Sequence, residues 1–213
     1  MSAPRRIALF GGTFDPIHRG HLDPALRVAD QLKLDEVIYL PTARPPHKPG
    51  ARYAPAWARY AMVELAVLDQ ARCRVDDYEL QGQGAAYTIH SLEHFRRLYP
   101  DDELYLLLGA DSFLSLPRWY RWRQYSRLVR LAVMVRPGYR LESATDHPEL
   151  LDMLHRGRVE WVENEPLPIS SSSIRDRFAQ GQEIPRDWLP GLVETYIRKY
   201  DLYGGKTAPT EGL

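Results

Sequence analysis

The chain has a single cysteine, Cys73, no surplus of either charge, and no apolar run approaching the length of a membrane span. One thiol excludes an internal disulfide framework. Lys and Arg number 28 against 28 Asp and Glu, a formal net charge of +0, so no global field draws in nucleic acid or an anionic membrane from a distance. Any anion site has to be local. The apolar run Ile7–Phe10 is too short for a secretory core, and these absences together predict a cytoplasmic protein with no membrane partner. At 213 residues, 44% of them hydrophobic, the chain can bury the core of one compact domain, and no segment forces a second.

What is present is an alternation of two periodicities. Short apolar or β-branched runs at Ile7–Phe10, Glu36–Leu40, Glu103–Leu108 and Leu131–Val135, with a fainter one at Val159–Val162, read as buried parallel strands. Between them Leu22, Ala25, Leu26, Ala29 and Leu32 recur at helical spacing, as do Ala58, Met62 and Leu65, and Ile89, Leu92, Phe95 and Leu98. The pattern predicts an α/β fold, a Rossmann-like doubly wound and mostly parallel sheet in a single domain spanning 1–203. Residues 204–213 are polar and Gly-rich and read as a frayed tail; Pro41–Pro55 and Arg136–Pro148 read as loops. In such folds ligands bind beyond the carboxyl ends of the strands, where Gly11–His21, Pro41–Lys48 and Gly109–Ser112 fall.

Chemistry concentrates first in Gly11-Gly12-Thr13-Phe14-Asp15-Pro16-Ile17-His18-Arg19-Gly20-His21. A strand runs into two glycines, whose missing Cβ atoms let backbone N–H groups come close to a phosphate, and two histidines follow three residues apart. If a helix starts here, both imidazoles project from one face beside its free N–H groups. A zinc site on His18 and His21 fails for want of close carboxylate or thiolate ligands beyond Asp15, Cys73 lying on another element, and no resident metal is expected. The segment lacks the G-x-G-x-x-G order of dinucleotide-binding folds, and Gly205-Lys206-Thr207 reproduces only the end of a P-loop, with Tyr200 in place of its first glycine.

A second candidate clamp is Ile169-Ser170-Ser171-Ser172-Ser173-Ile174-Arg175, in which Ser173 and Asp176 have capping-box spacing. Ordinary capping accounts for serines at a helix start. The alternative adds free N–H groups, hydroxyls and Arg175 aimed at a polyphosphate.

Gly11–His21 resembles the signature of the nucleotidyltransferase superfamily, whose members share an H-x-G-H or T-x-G-H element, and the serine run is similar to its I-S-S-T-x-I-R element. Pro41-Thr42-Ala43-Arg44-Pro45-Pro46-His47-Lys48 resembles the P-x-x-x-P-P-H-K loop of the bacterial nicotinate mononucleotide adenylyltransferases, with Thr42 standing where many members carry Asn. Tyr87-Thr88, Gly109-Ala110-Asp111-Ser112, Trp119-Tyr120, Arg136-Pro137-Gly138 and the stretch from Tyr196-Ile197 to Leu202-Tyr203 extend the likeness over nearly the whole chain.

The resemblance implies adenylyl transfer from ATP to nicotinate mononucleotide, with Mg2+ accompanying the phosphates. It assigns His18 and His21 to catalysis. Gly11, Gly12, Thr13, Phe14, Gly109, Asp111, Ile169, Ser172, Ser173 and Arg175 would bind ATP; Thr42, Lys48, Tyr87, Thr88, Trp119 and Arg136 would bind the mononucleotide. Trp119 offers a flat face for a cationic pyridinium ring. Thr88 precedes an amphipathic helix, so a ring carboxylate would meet unpaired N–H groups there, which favours nicotinate over nicotinamide.

Two alternatives stand beside this reading. Pantetheine phosphate adenylyltransferases share the first motif but lack the Pro-Pro-His-Lys loop and the Tyr-Thr pair. Arg118-Trp119-Tyr120-Arg121-Trp122-Arg123-Gln124-Tyr125-Ser126-Arg127 interleaves arginine and aromatic residues as a single-strand RNA platform does, or forms an amphipathic helix with solvated arginines. The zero net charge and the motif set favour small-molecule partners and no nucleic acid, and nothing in the sequence sets an oligomeric state.

Overall fold

Strand β1 (Arg6–Gly12) sends Ile7 and Leu9 into one apolar cluster and Ala8 and Phe10 into another, so both of its faces are covered. A strand of that kind belongs in the middle of a parallel sheet. Its companions are β2 (Glu36–Pro41), β3 (Cys73–Val75), β4 (Glu103–Gly109), β5 (Arg130–Val135) and β6 (Val159–Glu163). The computed structural model describes residues 3–43, 53–82, 87–135, 137, 147–165 and 167–204. In it the six strands pair in the order β3-β2-β1-β4-β5-β6, every pair parallel.

The helices are α1 (Arg19–Gln31), α2 (Ala56–Val67), α3 (Tyr78–Gln81), α4 (Thr88–Leu98), α5 (Ala110–Ser115), α6 (Tyr125–Leu128), α7 (Pro148–His155), α8 (Ser171–Ala179) and α9 (Gly191–Lys199). Buried residues of α1, α2, α8 and α9 pack on the face of the sheet that carries Phe10. Those of α4, α5, α6 and α7 pack on the face that carries Leu9. This is the doubly wound arrangement that the alternation predicts.

The structure differs from the sequence reading in three places. The buried stripe of α2 is Arg59, Met62, Val63, Ala66 and Val67; of the expected Ala58, Met62 and Leu65, Met62 belongs to it, Leu65 packs partly buried against the same core and Ala58 is half-buried. Strand β3 is only three residues long, too short for a period-2 pattern to register. Arg118–Arg127 is neither an open platform nor one helix: it breaks into 3-10 turns at Leu116–Arg118 and Trp122–Gln124 followed by α6, with Trp122 and Tyr125 buried. Arg121 pairs with Glu93, and Arg123 with Glu149.

Strand order reverses between β1 and β4, and there the ladder opens. The pairing of β1 with β4 ends at Leu9 and Leu106, while β1 stays with β2 as far as Gly12 and Pro41, and β4 stays with β5 as far as Gly109 and Met134. The two central strands therefore part toward their carboxyl ends and leave a crevice at the switch point.

Candidate active site

Beyond β1 the chain turns through Phe14, which adopts a left-handed φ of 48° and buries its ring edge-on to Phe10 and His21. A Cβ on Gly12 would lie 2.7 Å from that ring, whereas one on Gly11 would meet nothing within 4 Å. The bare Cα of Gly12 therefore makes room for the Phe14 ring. Gly20 works the same way: a Cβ there would sit 2.9 Å from the ring of His18.

His18 is the N-cap of α1 and His21 its third residue, so the turn of the helix brings their ring centroids to 3.8 Å. The His18 backbone N–H donates to Nδ1 of His21 at 3.3 Å. That bond fixes the tautomer of His21, because a lone pair on Nδ1 leaves the proton on Nε2. His18 is 5% exposed, and burial lowers its pKa to about 4. Burial, reinforced by His18, holds the pKa of His21 well below the usual imidazole value. Both rings are thus neutral at pH 7, able to donate one proton each but carrying no charge of their own.

The tip of α8 packs directly on this loop. The Ser171 hydroxyl donates to the Pro16 carbonyl at 3.0 Å, and Arg175 Nη1 donates to the Asp15 carbonyl at 2.7 Å. The capping box pairs Ser170 with Ser173, three residues ahead of the predicted Ser173–Asp176 pair. Ser173 is spent on the cap, its hydroxyl donating to the Ser170 carbonyl at 2.8 Å, and Ser172 accepts from Arg175 at 3.2 Å. Ile169 lies at the same junction, its carbonyl 3.7 Å from where a Cβ of Gly20 would be.

Beneath the loop is a polar network that sequence reasoning missed. Arg59 is 1% exposed and donates to three backbone carbonyls, of Thr13 at 2.6 Å, Ala54 at 3.1 Å and Ala43 at 3.1 Å. Asp15 Oδ1 accepts from the Ala54 N–H at 3.0 Å and from the Tyr203 hydroxyl at 2.7 Å, and its Oδ2 lies 3.7 Å from Arg175. A charged residue at the head of the apolar set Met62, Val63 and Ala66 was the available signal for Arg59. Nothing local marks Tyr203 as a partner of Asp15.

The crevice between β1 and β4 opens into a cavity of about 480 Å³. Gly11, Gly12, Thr13, Thr42, Tyr87, Thr88 and Trp119 line it, so most of the residues predicted to hold the mononucleotide converge on one space, next to the start of the phosphate loop. Glu79, Ser91, Arg118, Tyr120 and Tyr125 line it as well and were not foreseen. The Thr42 and Ser91 hydroxyls donate to the two oxygens of Glu79 at 2.9 and 2.8 Å. Tyr125, whose pKa burial pushes up to about 12, receives hydrogen bonds from the Thr88 side chain and the Ile89 backbone. The amide end of α4 is thus less open than the sequence suggests. Trp119 is anchored by its Nε1–H to Ser115 at 3.3 Å.

His18, His21, Ser172, Ser173 and Arg175 lie outside the lining of this cavity and form its neighbour around the loop. Gly109 caps α5 and Asp111 sits in its first turn, at the carboxyl end of β4. Lys48 and Arg136 lie outside the described residues. Among the described residues, no group of three or more His, Cys, Asp or Glu could hold a metal ion, and no helix is long and apolar enough to cross a membrane.

A parallel sheet whose switch-point crevice adjoins paired histidines and a serine-capped helix defines the nucleotidyltransferase class of α/β proteins. The chain belongs to the cytidylyltransferase-like family, whose model matches residues 9–177. Within it, the chain is 41% identical over 198 residues to a protein from Thermus thermophilus named a probable nicotinate-nucleotide adenylyltransferase, and 35% identical over 199 residues to a protein of the same name from Clostridium acetobutylicum. Both alignments cover 93% of this chain and 99% of the relative. The Plasmodium falciparum nicotinic acid mononucleotide adenylyltransferase complexed with NaAD shares the fold, with a TM-score of 0.73 at 18% identity over 93% of this chain and 97% of that one.

Proposed function

We propose that the protein transfers the adenylyl group of ATP to nicotinate mononucleotide, releasing pyrophosphate and forming nicotinate adenine dinucleotide for NAD biosynthesis. The observation that carries this reading is the adjacency of the two sites. The histidine loop, a phosphate clamp by its chemistry, shares Gly11, Gly12 and Thr13 with a cavity whose walls are Trp119, Tyr87 and Thr88. The relatives that align over 93% of the chain carry the same name for their activity.

In this mechanism a phosphate oxygen of the mononucleotide attacks the α-phosphorus of ATP in line. The new P–O bond forms as the bond to pyrophosphate breaks, and no covalent enzyme intermediate arises. His18 and His21 donate to α- and β-phosphate oxygens as charge develops there, aided by N–H groups of Gly12, Thr13 and Phe14. Gly11, Gly109 and Asp111 hold the adenosine side, with Asp111 on the ribose. Ile169, Ser172, Ser173 and Arg175 face the leaving pyrophosphate, which requires Arg175 to trade its carbonyl partner for phosphate oxygens.

Trp119 stacks on the pyridine ring, Thr88 presents its N–H to the ring carboxylate, and Tyr87 and Thr42 contact the mononucleotide from the same lining. Lys48 and Arg136 hold the mononucleotide phosphate. Mg2+ arrives with the triphosphate as part of the substrate: Asp15 Oδ1 is taken by Ala54 and Tyr203, its Oδ2 lies 3.7 Å from the Arg175 guanidinium, and among the described residues no group of three or more His, Cys, Asp or Glu could hold a resident ion. Residues 1–203 act as one catalytic domain, in the cytoplasm.

A substrate panel tests the reading. Pyrophosphate release from ATP is expected with nicotinate mononucleotide, more weakly with nicotinamide mononucleotide, and not with phosphopantetheine. Turnover of phosphopantetheine alone, or binding of RNA with a steep salt dependence and no turnover, contradicts it.

A further inference from the structure

Among the described residues Glu79 is the only acidic side chain lining the cavity and no Lys or Arg pairs with it; it is 8% exposed. It stands on the four-residue helix α3 and ties the end of β2, through Thr42, to the first turns of α4, through Ser91. Each hydroxyl has one proton and spends it on the carboxylate. A neutral Gln would bridge the same two hydroxyls without the cost of burying a charge, so a structural tie alone does not explain an acid here. Burial raises the pKa of Glu79, and only the two hydroxyl bonds oppose that rise. A cation in the cavity would compensate the charge.

We propose that Glu79 is the counter-charge for a cationic pyridinium ring and selects the charged ring over a neutral ring of the same shape. This rests on the acceptor proposed above. Nicotinate mononucleotide carries a zwitterionic ring, positive at nitrogen and negative at the carboxylate, and the cavity has two matching poles: the amide end of α4 at Thr88 and the carboxylate of Glu79. The other charged or titratable groups on the lining are Arg118 and the phenols of Tyr87, Tyr120 and Tyr125. None of them offers a negative charge at neutral pH. Trp119 also attracts a cation, through its ring face, so the contribution of Glu79 has to be separated from it by substitution.

The experiment is calorimetric titration of wild type, Glu79→Gln and Glu79→Asp with nicotinate mononucleotide and with its neutral isostere, 3-carboxyphenyl C-riboside 5′-phosphate. Wild type is expected to prefer the cationic ring by about tenfold or more. Glu79→Gln loses most of that preference by weakening the cationic ligand alone, and Glu79→Asp keeps it. Equal weakening of both ligands in Glu79→Gln, or an unchanged ratio, overturns the proposal. If Glu79→Gln does not fold, Ser91→Ala carries the test: losing one hydroxyl that holds Glu79 ionised lowers the preference, and an unchanged ratio overturns the proposal. Wild type that neither binds nor turns over nicotinate mononucleotide overturns the acceptor reading itself, whereas normal turnover with no ring preference removes only the role of Glu79.

Discussion

The phosphate loop and the pyridine cavity lie side by side but are built in opposite ways. The loop is held by its backbone: Arg59 ties the Thr13 carbonyl to those of Ala43 and Ala54, Arg175 and Ser171 grip the Asp15 and Pro16 carbonyls, and the ring of Phe14 fills the space that Gly12 leaves. The cavity is assembled from side chains on β2, α3, α4, the turn after α5 and α6, with an apolar floor of Leu9, Leu106 and Leu108 where the central strands part. A backbone-held loop fixes where phosphorus atoms sit. A side-chain cavity is free to set which acceptor is admitted. Changes in the loop should therefore strike stability or turnover, and changes in the cavity should strike acceptor affinity.

The largest effect on stability is expected from Arg59→Ala. It strips three buried carbonyls of their donor and leaves Asp15 with less positive charge nearby, at a cost of about 3 to 5 kcal/mol in a denaturant titration. A loss under about 1 kcal/mol would show that the loop is held otherwise. Gly20→Ala is the sharper probe, because it adds one methyl against His18 without touching the cavity. Displacing that ring should lower kcat by about 10²-fold, with little change in KM for the mononucleotide. Trp119→Ala should do the reverse, raising KM for the mononucleotide by an amount equivalent to about 0.5 to 2 kcal/mol while kcat holds.

The smallest effect is on acid stability. His18 and His21 both have folded pKa values below the unfolded value of about 6.5, so the unfolded chain binds the extra protons. Their contribution is intact above pH 6.5 and declines as pH falls toward 4, where His18 titrates. Melting temperatures measured across that window should fall less steeply in His18→Asn than in wild type. Parallel curves would remove the neutral, buried state assigned to His18.

The same contrast decides what could be read from sequence. The loop is contiguous: Gly11–His21 occupies one strand end and one helix start, so its chemistry is visible in a single window, and the strand and helix periods that place it at the carboxyl edge are strong. The resemblance supplied Thr42, Tyr87, Thr88 and Trp119, and the opening between β1 and β4 brings all four to one cavity. What stayed hidden depends on contacts far apart in sequence. Tyr203 reaches Asp15 across 188 positions. Glu79 gains its meaning only when Thr42 and Ser91 close on it from two other elements. Gly12 has a packing role that the sequence does not show, because the neighbour that excludes a Cβ there is Phe14, two residues away along the chain but folded back by a left-handed turn.

The most direct test of the account is steady-state turnover of His21→Ala with ATP and nicotinate mononucleotide, in protein shown by its melting curve to be folded. Loss of a proton donor to the developing phosphate charge should lower kcat by about 10²- to 10³-fold, near 3 to 4 kcal/mol in the barrier. Turnover close to that of the unaltered enzyme would contradict it.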